Sequence, residues 1–188
     1  STRDWSSDVC SSDLGLPLAL SFVKGGHSVQ IIDTDENRVK QINQRVMPFF
    51  EPHAQEIMNL ADQNNLQASI VNQNILGCDV CVLIIGTPVE SGGVPSSKFL
   101  IQLINDLIPF LTTVKLLVLR STVYPGITDE IAKLFLTKNM DIEVAFCPER
   151  IAQGNAINEI AVLPQIVGVQ TDKDRKSTRL NSSHEWIS

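Results

Sequence analysis

The sequence predicts an α/β domain with a doubly wound, mostly parallel sheet. Three observations carry this: short β-branched runs alternate with amphipathic segments, residues 80–85 are apolar throughout, and most such runs end in a Gly, Pro, Ser or Asp turn. The wholly apolar run is what a central strand covered on both faces requires. With 188 residues, 43% hydrophobic and 19% charged, the chain has the composition of one soluble domain or of a piece of a larger protein. No apolar run reaches the roughly 18 residues of a membrane helix, and the start does not read as a signal peptide. The formal charge of −6, with scattered Lys and Arg, leaves no basic stripe for a phosphate backbone. Neither a membrane nor nucleic acid is therefore an expected partner.

The elements follow in order. Residues 16–24 read as a helix stopped by Gly25-Gly26, then comes the strand Val29-Gln-Ile-Ile-Asp33. Asp35 or Thr34 can cap a helix that carries Val39, Ile42 and Val46 on one face. Pro48 and Pro52 bracket a loop before a helix near residues 51–63. The apolar strand 80–85 turns at Gly86-Thr-Pro88, and a Gly/Ser/Pro loop over 90–97 leads to a helix over 97–111. A strand over 115–120 ends at Ser121-Thr122, and Pro125-Gly126 precedes a helix through Lys138. The strand 142–146 runs into Cys147-Pro-Glu-Arg150, and residues 165–169 read as a last strand.

The two ends stand apart. Both tryptophans, Trp5 and Trp186, lie in Ser-rich terminal segments. A DNA stretch that encodes Asp4-Trp-Ser-Ser-Asp-Val-Cys-Ser-Ser-Asp13 has a reverse complement that, with one base added before it, translates as Asp174-Arg-Lys-Ser-Thr-Arg-Leu-Asn-Ser-Ser183. That string resembles a sequencing-adapter oligonucleotide read in both directions, so residues 1–14 and 174–188 are expected to be adapter-derived and 15–173 to be the domain. A natural pair of Ser-rich disordered tails is the alternative. The expected domain then lacks its first strand, which leaves unpaired ladder groups and a poorly stable chain.

In a doubly wound sheet, ligands bind beyond the carboxyl ends of the strands. Those ends carry Asp33, Gly86-Thr87-Pro88, Ser121-Thr122 and Cys147-Pro148-Glu149-Arg150. Asp33 follows Gly15 by 18 residues, close to the interval of about 20 at which a dinucleotide-binding fold places the carboxylate that accepts the ribose hydroxyls. A carboxylate there repels a 2′-phosphate and so favours NAD over NADP. Gly15 reads as the last glycine of a G-x-G-x-x-G turn. Taken alone, a turn glycine and a helix-capping Asp explain the pair equally well.

Six spaced motifs carry a resemblance through residues 15–173: Gly15-Leu-Pro-Leu-Ala-Leu20, Met47-Pro-Phe-Phe-Glu-Pro52, Gly86-Thr-Pro88, Arg120-Ser-Thr-Val-Tyr-Pro-Gly126, Cys147-Pro-Glu-Arg150 and Leu163-Pro-Gln-Ile-Val-Gly168. In that order they resemble the N-terminal, Rossmann-like domain of the UDP-glucose/GDP-mannose dehydrogenase family. The resemblance implies NAD-dependent oxidation of the C6 hydroxyl of a nucleotide sugar to a uronate in two hydride transfers. Pro148-Glu149-Arg150, where the glucose branch has Pro-Glu-Phe, resembles the N-acetylhexosamine branch that includes UDP-N-acetylmannosamine dehydrogenase.

By position, the resemblance implies that Gly15, Asp33, Arg38, Thr87 and Thr122 hold NAD. It implies that Glu149, Arg150 and the Ile151 backbone face the UDP-sugar, and that Glu149 handles protons through a water. A second Glu expected four residues later is Gln153 here, which cannot exchange protons. It further implies a homodimer or higher homo-oligomer for the intact protein, while the three cysteines within 15–173 give a reducing, cytoplasmic setting as the simplest reading. Each residue also has a structural reading: Arg38 as a solvated helix residue, Thr122 as a strand end, Arg150 as an ion-pair partner of Glu149.

Cys78-x-x-Cys81 has the spacing of a redox or metal pair, but a strand puts residues three apart on opposite faces, so no metal or disulfide site is expected. Cys147 before Pro148 reads as a small strand-end residue. The family's nucleophilic cysteine and its catalytic lysine belong to later motifs that this chain does not contain, so the fragment alone is expected to lack turnover. Two other functions remain compatible with the residues alone: a 6-phosphogluconate or β-hydroxyacid type of dehydrogenase, and a non-catalytic nucleotide-binding module.

Overall fold

The computed structural model describes residues 4–9, 14–85, 89–90, 94–95, 97–151 and 154–169. Its elements are β1 (Asp4–Val9), α1 (Gly15–Lys24), β2 (Ser28–Ile32), α2 (Glu36–Asn43), α3 (Ala54–Leu60), β3 (Leu66–Ser69), β4 (Val80–Ile84), β5 (Val89–Glu90), β6 (Val94–Pro95), α4 (Ser97–Leu107), β7 (Leu116–Leu119), α5 (Ile127–Thr137), β8 (Glu143–Phe146), α6 (Ala156–Val162) and β9 (Gly168–Val169). Seven strands form one sheet in the order β3-β2-β1-β4-β7-β8-β9. All neighbours are parallel except β8 and β9. The doubly wound, mostly parallel fold read from the sequence is thus the fold observed.

The sheet is covered on both faces, and β4 shows how. Val82 and Ile84 join a core with Leu16, Leu20, Ile31, Met58 and Ile157. Cys81 and Leu83 join a second core with Leu100, Ile104, Ile131 and Phe135. Period-two alternation therefore feeds two cores from one apolar strand. It also turns Cys81 into the second core, and neither Cys78 nor Cys81 is in a disulfide. Among the described residues no His, Cys, Asp or Glu cluster could hold a metal, and no helix is long and apolar enough to cross a membrane.

Several boundaries differ from expectation for local reasons. α1 ends as expected at Gly25-Gly26, where Gly26 takes φ +86° and the His27 N–H closes the turn on the Phe22 carbonyl. α2 stops at Asn43 because Arg45 turns left-handed at φ 62°, so Val46 lies beyond the helix and is exposed. The Arg45 guanidinium then donates to the carbonyls of Ile42, Ala61 and Leu66, which fastens α2 to α3 and β3. The helix expected near 51–63 is only Ala54–Leu60, and Glu51 before it is buried. α4 ends at Leu107 since Pro109 cannot continue it, and a 3-10 turn, Ile108–Phe110, follows. β3 is short and partly polar. Its edge is covered by Asn43, whose side chain both donates to the Ala68 carbonyl at 2.8 Å and accepts the Ala68 N–H at 2.9 Å.

The expected gap at the first strand is not there. Asp4–Val9 forms β1 between β2 and β4, in register Trp5–Val29, Ser6–Gln30 and Ser7–Ile31 on one side and Ser7–Val82 on the other. Ladder bonds use backbone groups only, so a polar sequence can fill the slot between two strands with unsatisfied edges. Yet a central parallel strand selects Val and Ile, and Asp-Trp-Ser-Ser-Asp-Val offers neither run nor alternation. Replacing Ser6 and Ser7 together by Val is therefore expected to raise the thermal midpoint, at roughly 2–4 °C per kcal/mol for a chain of this size. A calorimetric midpoint that stays put or falls would show that this strand does not limit stability.

Candidate functional site

The parallel strands bring their carboxyl ends to one rim, and Asp33 stands on it directly after β2. It is buried, with 2% of its surface exposed. Its backbone N–H donates to the Ser69 carbonyl, and its Oδ1 accepts the Asp35 N–H at 2.9 Å. Its Oδ2 is buried with no hydrogen-bond partner. Arg38, half-buried in the first turn of α2, approaches that oxygen at 3.7 Å through Nη1. Asp35 meanwhile caps α2 by accepting the N–H groups of Asn37 and Arg38. The division of labour is clear: Asp35 serves the helix, and Asp33 keeps a free acceptor. A buried carboxylate oxygen without a donor is costly, and ribose hydroxyls are donors that would satisfy it.

Further along the rim, the Ile85 N–H donates to the Ser121 hydroxyl at 2.8 Å, which ties the end of β4 to the end of β7. Thr122 follows and is exposed. Gly15 is the first residue of α1 and is buried. Thr87 and Gln153 lie outside the described residues.

The strongest polar construction in the site was not foreseen. Arg120, at the end of β7, is buried with 7% of its surface exposed. Its Nε and Nη2 both donate to Glu149 Oε2, at 3.0 and 2.5 Å. The same guanidinium reaches Gln165 Oε1 at 3.4 Å and Cys147 Sγ at 3.3 Å. Glu149 Oε1 accepts the N–H groups of Arg150 at 2.8 Å and Ile151 at 3.2 Å. Both carboxylate oxygens thus have two donors each. Burial pushes the Cys147 thiol above its ordinary value; the nearby Arg120 charge pulls the other way and Glu149 adds to the rise. Cys147 is accordingly a neutral thiol at neutral pH, as a strand-end residue would be.

Glu149, Arg150 and Ile151 are brought together, but not by an Arg150 ion pair. The Arg150 side chain is exposed and donates to the Pro164 carbonyl at 3.2 Å, while Ile151 is buried. The sequence did contain a signal for Arg120: a cation that closes an otherwise apolar run needs a buried acceptor. What it could not show was which of the later carboxylates supplies it.

Known proteins share this fold and much of this sequence pattern. Residues 11–184 match the model of the UDP-glucose/GDP-mannose dehydrogenase family, NAD binding domain. The chain is 28% identical over 173 residues to the UDP-N-acetyl-D-mannosamine dehydrogenase of Methanocaldococcus jannaschii, covering 88% of this chain and 39% of that protein. It is 26% identical over 144 residues to the UDP-glucose 6-dehydrogenase of Rickettsia conorii, covering 76% of this chain and 33% of that one. Among solved structures, a GDP-mannose dehydrogenase ternary complex from Pseudomonas aeruginosa superposes with a TM-score of 0.83 at 19% identity over 95% of this chain and 43% of that chain. The UDP-D-ManNAc dehydrogenase of Pyrococcus horikoshii does so with 0.79 at 25% identity over 93% of this chain and 43% of that chain. The chain spans about two fifths of the length of the relatives it matches.

Two outcomes follow. In urea unfolding, Arg120→Met is expected to cost about 3–5 kcal/mol, because it leaves a buried carboxylate without its cation, and adding Glu149→Gln is expected to return more than half of that. A single-variant cost below about 1 kcal/mol would show the pair to be dispensable. Asp33→Asn replaces an acceptor oxygen by a donor nitrogen or a neutral carbonyl, and should weaken NADH binding by about 10–100-fold with little change in the melt. Unchanged affinity in a fluorescence titration would remove Asp33 from the cofactor site.

Proposed function

Because the chain belongs to the UDP-glucose/GDP-mannose dehydrogenase family as its NAD-binding domain, we propose that it is the cofactor half of an enzyme that oxidises the C6 hydroxyl of a UDP-sugar to a uronate. The observation that carries the cofactor side is the buried Oδ2 of Asp33 at the end of β2, which no hydrogen-bond donor reaches and only Arg38 approaches, at 3.7 Å. When bound, NAD supplies the hydride acceptor for each of the two oxidation steps. Asp33 would hold the adenosine ribose, Arg38 would lie beside it, and Gly15, Thr87 and Thr122 would complete the cofactor rim.

Glu149, Arg150 and Ile151 form the side of the rim assigned to the UDP-sugar. Arg120 fixes Glu149, and Glu149 fixes the backbone of the next two residues. For Glu149 to handle a proton as well, one of its bonds to those N–H groups must open. Arg150 after Pro148-Glu149, together with UDP-N-acetyl-D-mannosamine dehydrogenases among the relatives, supports a UDP-N-acetylhexosamine substrate. Cys78, Cys81 and Cys147, none of them in a disulfide, support a reducing, cytoplasmic setting, and the intact enzyme would be a homodimer or larger. The polar sequence of β1 in a slot that selects apolar residues supports the adapter origin of residues 1–14.

The test uses the 188-residue chain. It is expected to bind NADH, to bind NADPH at least about tenfold more weakly, since Asp33 repels a 2′-phosphate, and to form no NADH from NAD and UDP-N-acetylmannosamine. Equal affinity for both cofactors would contradict the role of Asp33. NADH formation would contradict the assignment of the nucleophile and lysine to the remainder of the enzyme.

A further inference from the structure

Glu51 is a buried carboxylate that the proposed chemistry does not use. It is 5% exposed and sits in the Met47–Pro52 motif, far in sequence from Glu149, Arg150 and Ile151. Its Oε2 accepts the Gly154 N–H at 3.0 Å and its Oε1 accepts the Ile157 N–H at 3.3 Å, more than a hundred residues away along the chain. Ile157 lies in the first turn of α6, whose N-cap residue, Asn155, makes no capping bond with its own side chain. Glu51 therefore supplies from outside the capping acceptor that the Asn155 side chain does not provide.

The base from which Glu51 reaches is itself braced. The Gln55 side chain accepts the Met47 N–H at 3.0 Å and donates to the Arg45 carbonyl at 2.8 Å, and Arg45 is held to α3 and β3. His53, next to the motif, is in the left-handed conformation at φ 63°, which turns the chain into α3. Burying a carboxylate costs much more than capping a helix of seven residues with a neutral side chain. The excess is understandable if the bond to Gly154 matters as well. Gly154, at φ +88°, sits between α6 and the Glu149–Ile151 segment and can be pinned there without strain.

We propose that Glu51 is a positioning residue: from the segment that follows α2, it sets the course of the loop that carries Glu149, Arg150 and Ile151 to the sugar nucleotide. The sugar-facing part of this statement rests on the function proposed above, whereas the hold of Glu51 on the loop can be read whether or not a sugar binds.

Amide hydrogen exchange on the full 188-residue chain provides that reading. In the unaltered chain the Gly154 amide, on an exposed residue, should exchange about tenfold or more slowly than in an unstructured peptide. Glu51→Gln turns one acceptor into a donor, and should speed exchange at Ile151, Gly154 and Ile157 by about tenfold while α5 keeps its protection. Adding Asn155→Asp gives α6 an ordinary cap, and should restore Ile157 alone. Fast exchange of Gly154 in the unaltered chain would overturn the proposal without any variant. So would recovery of all three amides in the double variant, which would make Glu51 a helix cap and nothing more. If Glu51→Gln does not fold, the double variant is compared directly with the unaltered chain under the same criteria.

Discussion

The buried pair of Arg120 and Glu149 is the constraint on which the rim depends. Withdrawing two opposite charges from water is expensive, and attraction alone rarely repays it. Here the remaining valences are filled: Glu149 has four donors, and Arg120 also meets Gln165 and Cys147. One guanidinium thereby joins the end of β7, the end of β8, the segment after it and the approach to β9. Ladder bonds fix strands side by side, but they do not fix what the chain does after the last ladder pair. Arg120 does that for β7 and β8, just as the Ser121 hydroxyl does it for β4 and β7.

Two carboxylates on the same rim are left in opposite conditions. Glu149 is saturated by the protein, while Asp33 has one oxygen occupied by the Asp35 N–H and one left without a donor. Desolvation acts on both, so the difference lies in the partners supplied. A saturated carboxylate organises its neighbours; one buried with a spare acceptor can still accept from a ligand, as proposed above for Asp33.

How much of this could be read from the sequence depended on the range of the interaction. The apolar run of β4 and the turn at Gly25-Gly26 are local patterns, and both appear where the sequence places them. The position of Asp33 at the rim was legible because its distance from Gly15 is set by the length of one helix and one strand. Val46 was misplaced because helical periodicity gives no warning that Arg45 will turn left-handed. The partnership of Arg120 with Glu149, and of Glu51 with Gly154, could not be read, since nothing local pairs residues 29 or 103 positions apart. β1 was hidden for a different reason: backbone ladders accept any residue, so the slot and not the side chains selected Asp4–Val9.

The proposed cofactor rim has the spare oxygen of Asp33 as its anchor, and its far side is held by Arg120 and Glu149. A crystal structure of the chain grown with NAD tests it most directly. The expected result is an adenosine ribose hydroxyl within hydrogen-bond distance of Asp33 Oδ2, with the Arg120–Glu149 pair intact. A dinucleotide bound elsewhere, or a ribose that leaves Oδ2 without a donor, would contradict it.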